Sequence, residues 1–274
     1  MKTTFLAVVL FSFSLSAEAA LIQFKDGQTH DIDYQINDEV WVDYQSPGSK
    51  TAFNLVAGGK VYNNKLVGYC DSNIGVSGGT VQGVLYAYDS SRINMSAGKA
   101  AYLSPHNTSS VTVTGGTADY LWAYDNSEVD LSGGTIGGYL YAQNNTRLNI
   151  SDGSIGTDLW LWNSNRSEMY GGTIGYNILL GNSAILTLHG SDFSVDGQPV
   201  SSGDLTSILG GSYNGEPYRQ ITGVLANGDV LNNRFKIGET ASIHLVPEPS
   251  TMTMITALLL SGFVAGRLFF RRKK

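Results

Sequence analysis

Hydrophobic and polar positions along this chain alternate in short blocks, and from Gly58 to about Ser191 the blocks return with a period of about nineteen residues. The period shows first in glycine pairs or their equivalents: Gly58-Gly59, Gly78-Gly79, Ala97-Gly98, Gly115-Gly116, Gly133-Gly134, Asp152-Gly153 and Gly171-Gly172. A second mark falls between them at Asp71, Asp89, Asn107, Asp125, Asn144, Asn163 and Asn182, spaced 18, 18, 18, 19, 19 and 19 residues apart. Four positions before that mark runs an aliphatic column: Val67, Leu85, Leu103, Leu121, Leu140, Leu159 and Ile178. Two before it stand Tyr69, Ala87, Pro105, Ala123, Ala142, Leu161 and Leu180. After the mark, apolar residues such as Val129 and Leu131 alternate with polar ones such as Asp130. Alternation over four to six residues, bounded by Gly and Asn/Asp, predicts strand and turn, and the three- and four-residue spacing of a helix is missing.

Each copy therefore reads as one coil of two full strands and a short third one. No coil can bury its apolar face alone, so equivalent residues must stack into a shared core. The expected fold class is all-β: a parallel β-helix (solenoid) of about seven coils over 57–191, with β caps that do not follow the repeat at 20–56 and 192–246. Asn227-Gly228 between two apolar runs is a hairpin signal inside the second cap.

The two ends of the chain carry a different pattern. Residues 1–19 have a positive start at Lys2, an apolar stretch from Phe5 to Leu15 and a small-x-small site at Ala17-Glu18-Ala19, the layout of a secretory signal peptide. At 247–274, Pro247-Glu248-Pro249 precedes an apolar run from Met252 to Gly266 and a basic end, Arg271-Arg272-Lys273-Lys274. The apolar run is short for a span unless Leu268 to Phe270 extend it past Arg267. These last 28 or so residues resemble the PEP-CTERM sorting signal of exopolysaccharide-producing Gram-negative bacteria. The resemblance implies recognition at Pro247, Glu248 and Pro249 by a membrane enzyme of the exosortase type. It also implies a transmembrane helix in the inner membrane, and delivery to the cell surface or extracellular matrix. The repeat body is similar, more loosely, to Gly-rich β-helix passenger regions of such proteins and of autotransporters.

Charge narrows the partners. The chain has 17 Lys+Arg and 23 Asp+Glu. Setting aside Lys2, Glu18, Arg267, Arg271, Arg272, Lys273 and Lys274 leaves 11 basic against 22 acidic residues, about −11. That opposes nucleic acid and anionic lipid as partners of the body. Cys70 is the sole cysteine, so no internal disulfide forms.

Three features compete for chemistry. Aromatic residues alternate with the apolar columns: Tyr86, Trp122, Tyr141 and Trp160 three before the mark, and Tyr88, Tyr124 and Trp162 one before it. Pointing outward on stacked coils, they either stack on the C–H faces of sugars in an exopolysaccharide or pack on one another to stabilise the sheet. The Asp/Asn mark suits a corner better than a calcium site, because calcium needs six to eight oxygens with several carboxylates. No metal or cofactor is expected. The outward residues Arg92, Ser110, Glu128, Arg147, Arg166 and Ile185 mix charges without converging carboxylates, and His30, His106, His189 and His244 share no spacing. The sequence thus points away from an enzyme, toward an exported structural or adhesive protein. Polysaccharide binding through the aromatic strip is the alternative, and a β-helix lyase or hydrolase a weaker one.

Overall fold

The computed structural model describes residues 20–62, 65–206, 218–238 and 240–247. Among them the chain is all-β, without a helix, and winds as a parallel β-solenoid of about nine turns. The signal segment at 1–19 and the sorting segment from Glu248 onward lie outside the described residues.

Each coil has three faces. The stretch Arg92–Pro105 passes through all of them: 92–95 on a long face, 99–100 on a short face and 102–105 on a third face. On the long face, Ser110–Val113 lies between 92–95 and 128–131 with every residue exactly one coil from its partner, as in Ile93↔Val111↔Val129. On the third face, Leu66, Leu85, Leu103, Leu121, Leu140, Leu159 and Ile178 form one continuous column, each paired with the next. Every member of that column is 0% exposed. Stacked strands lie about 4.8 Å apart, so each side chain fills the space between its equivalents above and below.

Two details of the expected register are corrected. In the coil before Leu85 the column residue is Leu66, not Val67, because Leu66 pairs with Leu85 while Val67 pairs with Tyr86. The corner of that coil is consequently Cys70 (φ 54°), not Asp71, in line with Asp89, Asn107, Asp125, Asn144, Asn163 and Asn182, whose φ values run from 53° to 62°. Spacings that drift by a residue leave the phase of an end coil undetermined, and Asp71 drew the mark one place too far. Tyr69, assigned inward by that phase, instead belongs to the outer surface.

The coil count also rises. Leu21–Phe24 pairs in parallel with Glu39–Val42, Thr29–Ile32 with Ala52–Leu55, and Gln35–Ile36 with Lys60–Val61. Residues before Gly58 thus wind with the solenoid. Their offsets of 18, 23 and 25 residues hid them, because loops of unequal length separate strands that stack normally. At the other end, Asn177–Leu180 pairs in parallel with 234–237, and Ile185–Val195 with Ser242–Pro247, so a last coil closes after a long excursion. The excursion holds antiparallel strands. Arg219–Leu225 and Val230–Ile237 form the hairpin that Asn227-Gly228 foretells, with Gly228 at φ 99°.

Corners are held by side chains that reach the neighbouring coil. The Cys70 amide donates to Asp89 Oδ2 (3.0 Å), the Asp89 amide to Asn107 Oδ1 (3.1 Å) and the Asn107 amide to Asp125 Oδ2 (3.0 Å). Further along, Asn163 Nδ2 donates to Asn144 Oδ1 (2.9 Å) and Asn182 Nδ2 to Asn163 Oδ1 (2.5 Å). These Asx side chains bond the neighbouring coil, which ties coils together. Two residues past each corner runs a buried small polar column, Ser72, Ser91, Ser109, Ser127, Thr146 and Asn165. Ser91 Oγ donates to the Gly68 carbonyl (3.2 Å), Ser109 Oγ to that of Ala87 (3.0 Å) and Asn165 Nδ2 to that of Thr146 (2.9 Å). These bonds satisfy Ser91, Ser109 and Asn165, whose burial would otherwise cost about 1–3 kcal/mol each.

Candidate functional site: the aromatic face

The third face carries the aromatic residues. Because side chains alternate along a strand, Leu121 and Ala123 point into the core while Tyr120, Trp122 and Tyr124 point out. The same alternation applies to Leu140/Tyr141/Ala142 and Leu159/Trp160/Leu161. Trp122 pairs with Tyr141 and Tyr141 with Trp160, so these three rings occupy successive coils in register.

All seven rings named from the sequence lie on this face and are half-buried. They do not form one site. Tyr86 and Tyr88 stack on each other (centroids 5.5 Å), and Tyr88 continues to Tyr69 (5.6 Å) and His106 (4.8 Å). His106 in turn stacks on Tyr124 at 4.8 Å with planes 17° apart. This half of the ladder is closed, ring on ring. Trp162 caps the other end, stacked on Trp160 at 5.8 Å and lying over Gly181, where a Cβ would meet its ring at 2.6 Å.

Between them the ladder opens. Trp122, Tyr124, Tyr139, Tyr141 and Trp160 line a cleft of about 440 Å³. Trp122 and Tyr139 are 6.3 Å apart, Tyr139 and Trp160 6.1 Å, and Tyr124 meets Tyr141 edge-on at 6.1 Å. Tyr141 Oη donates to Gln143 Oε1 at 2.7 Å, which fixes the tilt of that ring. The indole N–H groups of Trp122 and Trp160 are enclosed and have no hydrogen-bond partner.

Tyr139 was not foreseen, nor were Tyr102 and Tyr120, which stack at 5.1 Å and continue from Tyr120 to Tyr139 at 5.0 Å. Their signal was present, since Tyr102, Tyr120 and Tyr139 recur 18 and 19 residues apart, five before the corner. Tyr69 and His106 stand one before it, in the same column as Tyr88 and Tyr124.

Burial in the ladder shifts its titrations. Desolvation, helped by Tyr88 and Tyr44, pushes the Tyr69 phenol up to about 12. Burial also raises Tyr88, Tyr124 and Tyr141 above the ordinary phenol value. Burial lowers His106, against the opposing pull of Asp125. The ladder therefore favours neutral rings.

The other expected features are placed as follows. Arg92, Ser110, Glu128, Arg147, Arg166 and Ile185 do form one outward column of the long face. A groove of about 580 Å³ runs beside it, lined in part by Asp130, Asn149, Glu168 and Tyr170. Its charges are drawn toward partners: Arg147 is 3.8 Å from Glu128, and Glu168 accepts from Tyr170 and lies 3.5 Å from His189. His30 pairs with Asp26, and His244 with Asp204. Of the sorting motif, Pro247 ends the last strand opposite Gly190, while Glu248 and Pro249 lie outside the described residues. Among the described residues no group of three or more His, Cys, Asp or Glu is arranged to hold a metal ion.

The fold and the aromatic ladder define the class of the protein: a parallel β-solenoid with an aromatic ladder along its third face. No protein-family model, curated protein or solved structure matches the chain.

Proposed function

We propose that the chain is an exported, surface-directed β-solenoid with a structural or adhesive role in the cell envelope or extracellular matrix. The observation that carries this reading is the coil-to-coil repetition of outward groups. The Asx ladder and the aromatic ladder run along the rod in register with the strands, so the rod presents one surface many times over. Such a surface suits contact with an extended, repetitive partner better than the enclosure of a small substrate. A signal peptide at 1–19 and a PEP-CTERM-like segment at 247–274 supply the route. A membrane enzyme of the exosortase type would recognise Pro247, Glu248 and Pro249 and release the body from its inner-membrane anchor.

Fractionation of the native host followed by mass spectrometry of the recovered chain tests this. The body is expected outside the cytoplasm, beginning near Ala20 and ending near residues 247–250, with roughly 3 kDa lost from the C-terminus. A chain intact from Met1 to Lys274 and confined to the cytoplasm would overturn the reading.

A further inference from the structure

The aromatic ladder changes character along its length. From Tyr69 through Tyr88 and His106 to Tyr124, rings lie 4.8–5.6 Å apart with planes within 23° of parallel. Rings serving only to stabilise neighbouring strands pack in this closed manner. Over the next coils the rings diverge and wall a cleft instead, with only aromatic side chains at its lining. One unpartnered indole N–H belongs to each of the two tryptophans there. The ladder thus opens between Trp122 and Trp160, leaving aromatic faces uncovered by further rings.

We infer that this cleft is a saccharide-binding subsite for a neutral polysaccharide whose chain runs along the solenoid axis. Three observations select that ligand chemistry. The lining is flat and aromatic, which suits the C–H face of a pyranose, and its polar atoms sit at ring edges where sugar hydroxyls lie. Trp122, Tyr141 and Trp160 repeat once per coil, about 4.8 Å apart along the axis, so a linear polymer meets the same surface again after each short step. Charge excludes the other stacking polymers. The body carries 22 acidic against 11 basic residues once the terminal charges named above are set aside, and Asp125 adjoins Tyr124 while Asp158 precedes the strand Leu159–Leu161. Single-stranded nucleic acid also stacks on rings, but it requires a basic groove for its phosphates. Uronic-acid polymers meet the same repulsion. The inference does not depend on where the chain is delivered, so it stands or falls separately from the proposed function.

Affinity electrophoresis of the full chain in mild detergent provides the test, with galactomannan, hydroxyethylcellulose, alginate or oligo-dT in the gel. Fluorescence titration with a Pro-rich peptide completes the set. Retardation by a neutral polymer is expected, with a shift of tryptophan emission on binding. Trp160→Ala or Tyr139→Ala should weaken association tenfold or more, whereas Trp41→Ala, at the closed end of the ladder where that ring meets Tyr69 at 5.6 Å, should leave it unchanged. Should Trp160→Ala fail to fold, Trp160→Phe and Tyr139→Ala decide the matter, and both should weaken binding. Absence of retardation by either neutral polymer overturns the inference. So does equal retardation of the cleft variants and the parent, or binding confined to alginate, oligo-dT or the peptide.

Discussion

Substitution of Gly156 by alanine tests the central physical claim, that coils approach too closely at one corner for any side chain. Gly156 has no left-handed backbone angle to protect, so its requirement is space alone. A Cβ built there falls 2.0 Å from the Gly137 carbonyl oxygen and 2.8 Å from its carbon, and the coil above repeats the geometry, with Gly175 2.0 Å from Gly156 O. An ordinary contact is about 3.4 Å or more. The overlap therefore exceeds an ångström, and it is against backbone. Relief requires separating the coils where Gly156 N donates to Ile136 O (2.7 Å), Thr157 N to Gly138 O (3.0 Å) and Gly175 N to Ile155 O (2.8 Å). Loss of two or three such bonds at about 1 kcal/mol each, together with overpacking of about 1–3 kcal/mol, gives an expected destabilisation of about 3–6 kcal/mol. Gly197→Ala is the matched control. Its φ of 77° is left-handed, but a Cβ there meets nothing within 4 Å. Strain of about 1–2 kcal/mol is partly offset by about 0.4–1 kcal/mol from the stiffer unfolded chain, leaving about 1 kcal/mol. Urea unfolding followed by far-ultraviolet circular dichroism measures both. If Gly156→Ala unfolds within 1 kcal/mol of the parent, or Gly197→Ala proves the worse, the close-approach argument is wrong.

Two further outcomes are expected. Leu121→Asp places a carboxylate between Leu103 and Leu140 in a column that is 0% exposed, at a cost of several kcal/mol, while Thr112→Asn, an outward position next to Asn94, should stay within about 0.5 kcal/mol; comparable melting temperatures for the two variants would refute the inward assignment of the column. Alkaline titration at 295 nm should reveal a class of tyrosines, Tyr69 foremost, that ionises above the ordinary 10.0 and toward about 12. Since the folded values are raised, the unfolded chain loses these protons first, and stability present below pH 10 falls as pH climbs toward 12; a single tyrosine class at 10, native and denatured alike, would show that the ladder is not packed as described.

The body of the solenoid was legible because repetition writes the same constraint into every coil. Seven successive aliphatic residues cannot arise at an eighteen- or nineteen-residue period unless each packs on the next. From Leu85 to Ile178 the predicted column is the observed one. The end coils were not legible, for a reason equally physical. Stacking fixes which strand residues face one another but places little constraint on loops between them, whose closure entropy grows only slowly with length. The offset from Thr29 to Ala52 and the long excursion before Arg234 therefore conceal coils that pair like the rest. A period search sees chain length, whereas the sheet responds only to register.

The candidate site divides along the same line. That the rings point outward follows from alternation on strands whose inward residues were already known, and Trp122, Tyr124, Tyr141 and Trp160 do meet in one cleft. What a one-dimensional reading lacks is the tilt of each ring: His106 and Tyr124, at the same repeat position, lie near parallel, whereas Tyr124 meets Tyr141, from another column, at 65°. The difference arises from neighbours that break the repeat. Where the corner-adjacent column carries a ring in every coil, as at Tyr88, His106 and Tyr124, each ring rests flat on the last. At the next coil that position is Gln143, which offers no face to stack on and instead accepts the Tyr141 hydroxyl, drawing that ring on edge. The column resumes only at Trp162, a coil further on, whose ring turns toward Trp160 and Gly181. One glutamine in an aromatic column thus accounts for the opening between Tyr124 and Trp160. Gln143→Tyr would restore the stack from Tyr124 to Trp162 and is expected to close the cleft; ring-proton contacts between Tyr124 and the new tyrosine, seen by nuclear magnetic resonance, would confirm the closure, and an unchanged edge-on Tyr141 would locate the cause elsewhere.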